Sequence, residues 1–449
     1  MTEILFISFQ YPPINVGGAI RPYMFSKYLP KFGIKPIVLC LDSDHQNEYN
    51  TDKTHQLISE LPEEVIIKKV PIKPTKPSII NKFIQIYCSI GDNKYKRWKK
   101  NAQTTIDYII NQHDIKAIYF TAPPFSNGEL AINAAKKYNL PLVLDMRDGW
   151  SKWCIAPYAS IIHYQLTKLK ERTYFKSAKS IITVTNVLKD VFIETHPNIR
   201  TNKFHVIPNG FDVTSEEIPE FLEAKKHNVD SEIKIGYIGA FYYNPTAEKS
   251  LLSSWWQKKP YRWFQYFPVH ERWIYRSPYF FLKSMSKFIT DNPNYKNRLK
   301  FIFIGTAQNW LLKMVEEFGL TNNFDNRGFI EHAKLSEATK DIDYFLATSV
   351  KVKDGLDYAI ASKTFDYIKF KKPILAFVTE GSQKEFIKNS NTGLIFNPDQ
   401  TELNSTKLKE LFTKGCQLKV NTQYLESFTR YNTTKELSKI IFNSITTQH

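Results

Sequence analysis

A chain of 449 residues is too long for one core of ordinary size and fits two or three domains. Its 42% hydrophobic, 14% aromatic and 23% charged residues exclude a disordered chain, and no apolar run approaches the roughly 18 residues of a membrane span. The net charge of +17 suits either lysines that only solvate the surface or polyanionic partners (nucleic acid, acidic lipid headgroups, phosphorylated substrates).

The opening MTEILFISFQYPP has no basic stretch before its apolar run, which is too short for a secretory signal, so it reads as a first buried strand over 4–8. NVGGAIRPYMFSKYLPKFG follows as a loop and a helix stopped by Gly33. The runs at 34–41, 117–122, 140–146, 179–184 and 203–208 read as further strands with helices between most of them. Ser126 and Glu129 have the spacing of a capping box opening the helix after TAPPF. This alternation predicts a doubly wound parallel sheet over 1–212. Residues 213–231 are acidic and read as a linker. The pattern then restarts over 232–422 with strands at 232–240, 299–305, 343–349, 372–378 and 393–396, and 423–449 reads as a helical tail packing back on the first domain. The expected fold class is α/β, with two Rossmann-like doubly wound domains facing across a cleft that strand ends approach from both sides.

Between 68 and 100 stand ten Lys/Arg against one acid, Asp92. Cys40, Cys88, Cys154 and Cys416 have no metal spacing, which suits a reduced, cytoplasmic compartment. Gly17 and Gly18 follow the first strand and open the first helix; they suit either a tight turn or close approach of a phosphate, and they are not G-x-G-x-x-G. Arg147 and Asp148 follow a strand that should end at the cleft. They can orient an acceptor hydroxyl or phosphate, or form a structural ion pair. Asp354 and Asp357 read as part of a solvated loop.

In order along the chain, ILFISFQYPPINVGGAIRPYMFSKYLPKFG, TAPPFSNG, LPLVLDMRDGW, VIPNGFD, GYIGAFY, RSPYFFLKSM, FIFIG, NRGFIEHAKL and SKTFDYIKFKKPILAF resemble the motifs of glycosyltransferase family 4. The resemblance implies the GT-B architecture, a nucleotide-sugar donor, a lipid-linked or glycan acceptor, and no cofactor or metal. Reaction would retain configuration at the anomeric carbon, the leaving diphosphate helping to take the acceptor's proton. On it, Lys363 reaches the donor diphosphate, Arg276 is the second cation, and Asp366 stands where the family places a ribose-binding Glu. Gly328, Phe329 and Ile330 line the base pocket, and Gly239, Gly305, Ser362, Gly17 and Gly18 complete the donor-side set. Asp148 joins Lys363 and Arg276 as a catalytic candidate, with Arg147 and Phe125 on the acceptor side. The chain departs from the pattern twice. Tyr358 replaces the first Glu of the E-x7-E pair, and Phe125 stands where many relatives carry a His. His45, His113, His163 and His332 offer no replacement base.

In relatives the GxFY strand leads almost directly to Arg-Ser-Pro; here residues 243–275 intervene, an insertion at about 245–275 rich in Trp, Tyr, Lys and Arg. That composition suits either a membrane interface, with anionic lipid contacted through 68–100 and 255–276, or an aromatic cluster packed on its own domain. The competing functions are a nucleotide-sugar epimerase of the same fold, an inactive scaffold and a nucleic-acid-binding protein. No RNP, helix-turn-helix or zinc pattern supports the last, and nucleic acid is not an expected partner.

Overall fold

The computed structural model describes residues 1–42, 51, 56–72, 98–152, 157–227, 231–331 and 334–446. The larger part of the basic run (73–97), His45, His332, Cys88 and Cys154 lie outside the described residues. The chain divides into two compact units, Met1–Asn209 with Lys259–Val269 and Arg430–His449, and Gly210–Lys258 with His270–Thr429.

Unit 1 is built on a seven-stranded parallel sheet of β1 (Thr2–Ile7), β2 (Ile34–Leu41), β3 (Ile66–Val70), β4 (Ile115–Ala122), β5 (Leu142–Met146), β6 (Ser180–Thr183) and β7 (Phe204–Val206), in the order β3-β2-β1-β4-β5-β6-β7. Ile4, Leu5, Phe6 and Ile7 are all fully buried, as expected of a parallel strand covered on both faces. The helix Arg430–Thr446 buries Leu437, Ile440 and Ile441 against Ile4, Tyr23 and Val38, so the end of the chain completes this core. The sequence placed the whole of 245–275 in the second domain, yet Lys259–Val269 packs within unit 1. Tyr266 and Tyr158 exchange backbone hydrogen bonds of 3.0 and 2.9 Å, and the Tyr266 ring packs 5.0 Å from that of Tyr164.

In unit 2 the strands are β8 (Phe221–Ala224), β9 (Ile233–Ile238), β10 (Glu271–Arg272), β11 (Leu299–Ile304), β12 (Phe324–Gly328), β13 (Tyr344–Thr348), β14 (Lys351–Val352), β15 (Ile374–Phe377), β16 (Gly393–Phe396) and β17 (Cys416–Lys419). Six of them form a second parallel sheet, β12-β11-β9-β13-β15-β16. The stretch read as a linker contains β8, which pairs antiparallel with β17. Strand order reverses at β1/β4 in unit 1 and at β9/β13 in unit 2. Loops leaving the two strands at such a reversal diverge to opposite faces of the sheet, opening a crevice at the strand C-termini.

Candidate functional site

At the reversal in unit 2, β9 runs into a turn at Gly239, whose φ of +83° disfavours any residue with a side chain. A Cβ on Gly305, just past β11, would stand 2.9 Å from the Gly239 carbonyl oxygen, so these two turns pack backbone to backbone. Lys363, on the helix Ser362–Lys369, reaches this turn. Its Nζ donates to Tyr237 Oη at 2.5 Å and to the Ala240 carbonyl at 3.2 Å, and lies 3.9 Å from the centre of the Tyr237 ring. Tyr237 is held in turn by stacking on Phe241 at 3.6 Å. Lys363 is half-buried and makes no ion pair among the described residues. Burial therefore lowers its ammonium to about 7, opposed in part by the charge of Asp366 one turn on. Ser362 is exposed at the start of the helix, and Asp366 and Tyr358 are half-buried.

The neighbouring strand β13 brings a second charged group. Thr348, its last residue, donates to the Arg276 carbonyl at 3.2 Å, and Arg276 Nη2 donates to both Glu271 oxygens at 3.1 and 2.9 Å. The Glu271 side chain is 2% exposed. Its strand β10 pairs with β14, which locates this ion pair beside the loop after β13. Asp357, expected in a solvated loop, is 6% exposed and accepts from Val350 N at 3.2 Å and Ala359 N at 2.9 Å. Desolvation raises its carboxyl to about 6 against the pull of the Ala359 N–H and the charge of Arg276. Asp354 is exposed, as expected. A Cβ on Gly381 would lie 2.2 Å from the Asp357 carbonyl oxygen, so the following helix, Ser382–Ser390, starts against the Asp357 backbone. Ser382 Oγ there is buried with no hydrogen-bond partner among the described residues. At the end of edge strand β12, Gly328 has φ +69°, Phe329 is 80% exposed, and Ile330 packs against the core.

Unit 1 assembles differently. Arg147 does not depend on Asp148 for its hydrogen bonds. Its guanidinium donates to the Gly18 carbonyl at 2.6 Å, Pro123 at 2.5 Å and Ala122 at 3.3 Å, bracing the glycine loop to the TAPP loop. A Cβ on Gly18 would meet Gln10 Oε1 at 2.2 Å and Arg147 Nη1 at 2.9 Å, whereas Gly17 faces open space. Asp148 is half-buried, and its charge supports that of Arg147. Phe125 is 4% exposed and stacks on Trp150 with ring centres 5.1 Å apart. The expected capping box is not formed. The α-helix starts at Gly128 without a side-chain cap, and Glu129 pairs with Lys99 and Lys170.

Several charged residues in these ends went unnoticed in the sequence. Arg21 meets both oxygens of Asp145 at 3.0 and 3.1 Å, with Tyr119 Oη and Thr121 Oγ1 also donating to that carboxylate at 2.7 and 2.9 Å. The signal was Asp145 itself, an acid inside the apolar LVLDM run. Likewise Ser151, Glu171 and His196 form a fully buried cluster in which the carboxylate accepts from Ser151 N at 3.0 Å and meets His196 Nε2 at 2.7 Å. The carboxylate, not the imidazole, bridges that trio, so it ties a loop to two helices and is no nucleophilic triad. An open depression of about 710 Å³ near Glu3, Lys35 and Lys116 lies at strand N-termini, the end of an α/β sheet that does not bind ligands.

Residues 17–215, spanning the glycine loop, the Arg147 brace and the Arg21–Asp145 pair, match the family model of glycosyltransferase family 4. Residues 17–215 are a glycosyltransferase family 4 domain. Comparison with curated proteins gave no match to the sequence. Among solved structures, sucrose-phosphate synthase from Thermosynechococcus elongatus aligns with TM-score 0.53 and 11% identity, over 100% of this chain and 97% of that one. The apo form of the lipopolysaccharide outer core galactosyltransferase WaaB aligns with TM-score 0.56 and 10% identity, over 98% and 99%. A putative UDP-N-acetylglucosamine 2-epimerase from Listeria monocytogenes aligns with TM-score 0.50 and 8% identity, over 100% and 97%. At such identities the likeness is one of fold. The glycosyltransferase domain and the second doubly wound unit together make the fold GT-B.

Proposed function

We propose that the chain transfers a sugar from a nucleotide-sugar donor to a lipid-linked or glycan acceptor of surface-glycan biosynthesis, with retention. The observation that carries this reading is Lys363, a half-buried ammonium without an ion-pair partner among the described residues, held against the Gly239 turn at the crevice of unit 2. A cation in that state gains most from a ligand that brings negative charge, and a diphosphate is such a ligand. As the glycosidic bond breaks, charge builds on the leaving diphosphate, and Lys363 stabilises it without moving. Arg276 is turned toward Glu271, so it serves the same charge only through a change of rotamer or at longer range. Asp366, one turn from Lys363, would accept from ribose hydroxyls, and the unpartnered Ser382 hydroxyl would supply a further donor. Asp148 and Arg147 stay as acceptor-side groups, Arg147 acting through the loops it braces. The retaining course and the absence of a metal are carried over from the family resemblance.

A panel of nucleoside diphosphates and nucleotide sugars tests this by thermal shift and by slow donor hydrolysis. A nucleotide that raises the melting temperature, and loses that effect in Lys363→Ala, supports the reading; no response to any nucleotide defeats it. The epimerase alternative is separated by proton NMR of the sugar product, which would show inversion at a ring carbon with no acceptor present.

A further inference from the structure

Large apolar side chains cost solubility when left in water, so their clustering on one face calls for an occupant. On the unit 1 helix Ile161–Ser177, Tyr164, Thr167, Glu171, Tyr174 and Phe175 face the core. The opposite face exposes Ile161 (53%), Ile162 (66%), Leu166 (43%) and Leu169 (57%). Beside the first turn of this helix, the segment Lys259–Val269 is fastened by the Tyr158–Tyr266 backbone pair and by the Tyr266 ring against Tyr164. It carries Trp263 (43% exposed) and Phe264 (75% exposed). Across residues 157–177 and 259–269 the only acid is Glu171, which is fully buried, while Lys168, Arg172, Lys176, Lys259 and Arg262 supply positive charge.

We propose that unit 1 docks on an anionic lipid surface through the exposed face of the helix Ile161–Ser177 and the adjoining Trp263–Phe264 turn. Aliphatic side chains enter the headgroup boundary, the indole sits at headgroup level, and the cations meet lipid phosphates. Charge decides among occupants. A second copy would set one cationic patch against another, which repels. Nucleic acid would use the cations and Trp263 but gains little from four exposed Ile and Leu side chains. The site goes beyond the donor reading and does not depend on it. It also replaces a loose basic, aromatic stretch with a structured surface whose main element, the helix, lies outside the insertion.

The test is co-sedimentation of the full chain with phosphatidylcholine vesicles and with vesicles also containing phosphatidylglycerol. Binding is expected to the anionic vesicles only and to weaken as salt rises. Leu166→Ser/Leu169→Ser and Trp263→Ser/Phe264→Ser should each lower vesicle affinity about tenfold or more, the loss expected for two large side chains that no longer enter lipid. Both variants alter exposed positions, so their melting temperatures should match the parent. The inference is overturned if the parent stays in the supernatant, or if both variants bind like the parent. It is also overturned if lipid-free sedimentation velocity shows a dimer that the variants dissociate, or if single-stranded nucleic acid displaces the vesicles. Thermal shift by nucleotides, run in parallel without lipid, keeps this outcome separate from that of the donor reading.

Discussion

Lys363 is where acid–base chemistry and binding pull in opposite directions. An unfolded lysine titrates near 10.5, and burial brings Lys363 to about 7. Between those values the unfolded chain holds the extra proton, so this residue makes stability rise with pH from about 7 to about 10.5. Lys363→Met should flatten that rise in a series of urea melts. Anion binding needs the protonated form, so nucleotide affinity should fall as pH climbs above about 7, and Lys363→Arg should move the fall to much higher pH. An affinity independent of pH from 6.5 to 8.5, by roughly a factor of two or less, would remove Lys363 from the site. The buried Arg21–Asp145 pair has a purely structural expectation. Asp145→Asn strips the charge from a carboxylate that accepts from four donor atoms and should cost about 3–5 kcal/mol by chemical denaturation.

Elements carry the next layer. Gly18 and Gly381 are places where backbone or side chains occupy the space of a missing Cβ. Gly18→Ala should push Arg147 off its three carbonyls and loosen the glycine loop, lowering the melting temperature and raising proteolysis there. Gly381→Ala, with φ +142° and a clash against Asp357, should be worse. If Gly381→Ala melts within a degree or so of the parent, the close approach to Asp357 does not constrain the loop. The central strands were legible because parallel strands buried on both faces read as short apolar runs, LPLVLDM and KPILAFV among them. Of the four edge strands, β7 and β16 were legible as well, whereas β12 and β3 were not. FDNRG (β12) is polar and has no buried residue, and IIKKV (β3) has only one fully buried residue. The S-x-x-E pattern misled because Glu129 had lysines to pair with, a tertiary contact that local spacing does not encode.

At the level of the molecule, one strand-order rule recurs in both units. In each sheet the first strand sits at the reversal, and the chain after β1, β4 and β9 carries Gly17, Gly18, Phe125 and Gly239, while Arg147 and Asp148 follow β5, Gly305 follows β11 and Gly328 ends β12. Positions such as Lys363, Gly239 and Arg276 were therefore legible through motif order. The partners Tyr237 and Glu271 were not, since Tyr237 lies far from Lys363 in the chain and Glu271 is hidden in a basic stretch. The insertion shows the same limit. Its composition was plain in the sequence, but only the fold shows Lys259–Val269 seated on unit 1 beside a helix with an exposed apolar face. Vesicle binding by that surface and nucleotide binding by unit 2 should be separable by mutation, Leu166→Ser/Leu169→Ser leaving nucleotide affinity unchanged.

The most direct test is titration calorimetry of a panel of nucleoside diphosphates into the parent and into Lys363→Ala. At least one nucleotide should bind the parent saturably near pH 7, and the variant should bind it about 10- to 100-fold more weakly, the loss expected for one charged hydrogen-bond donor. The melting temperature of the unliganded variant should not fall. No saturable binding to the parent, or equal affinities for parent and variant, would contradict a nucleotide-sugar site built on Lys363.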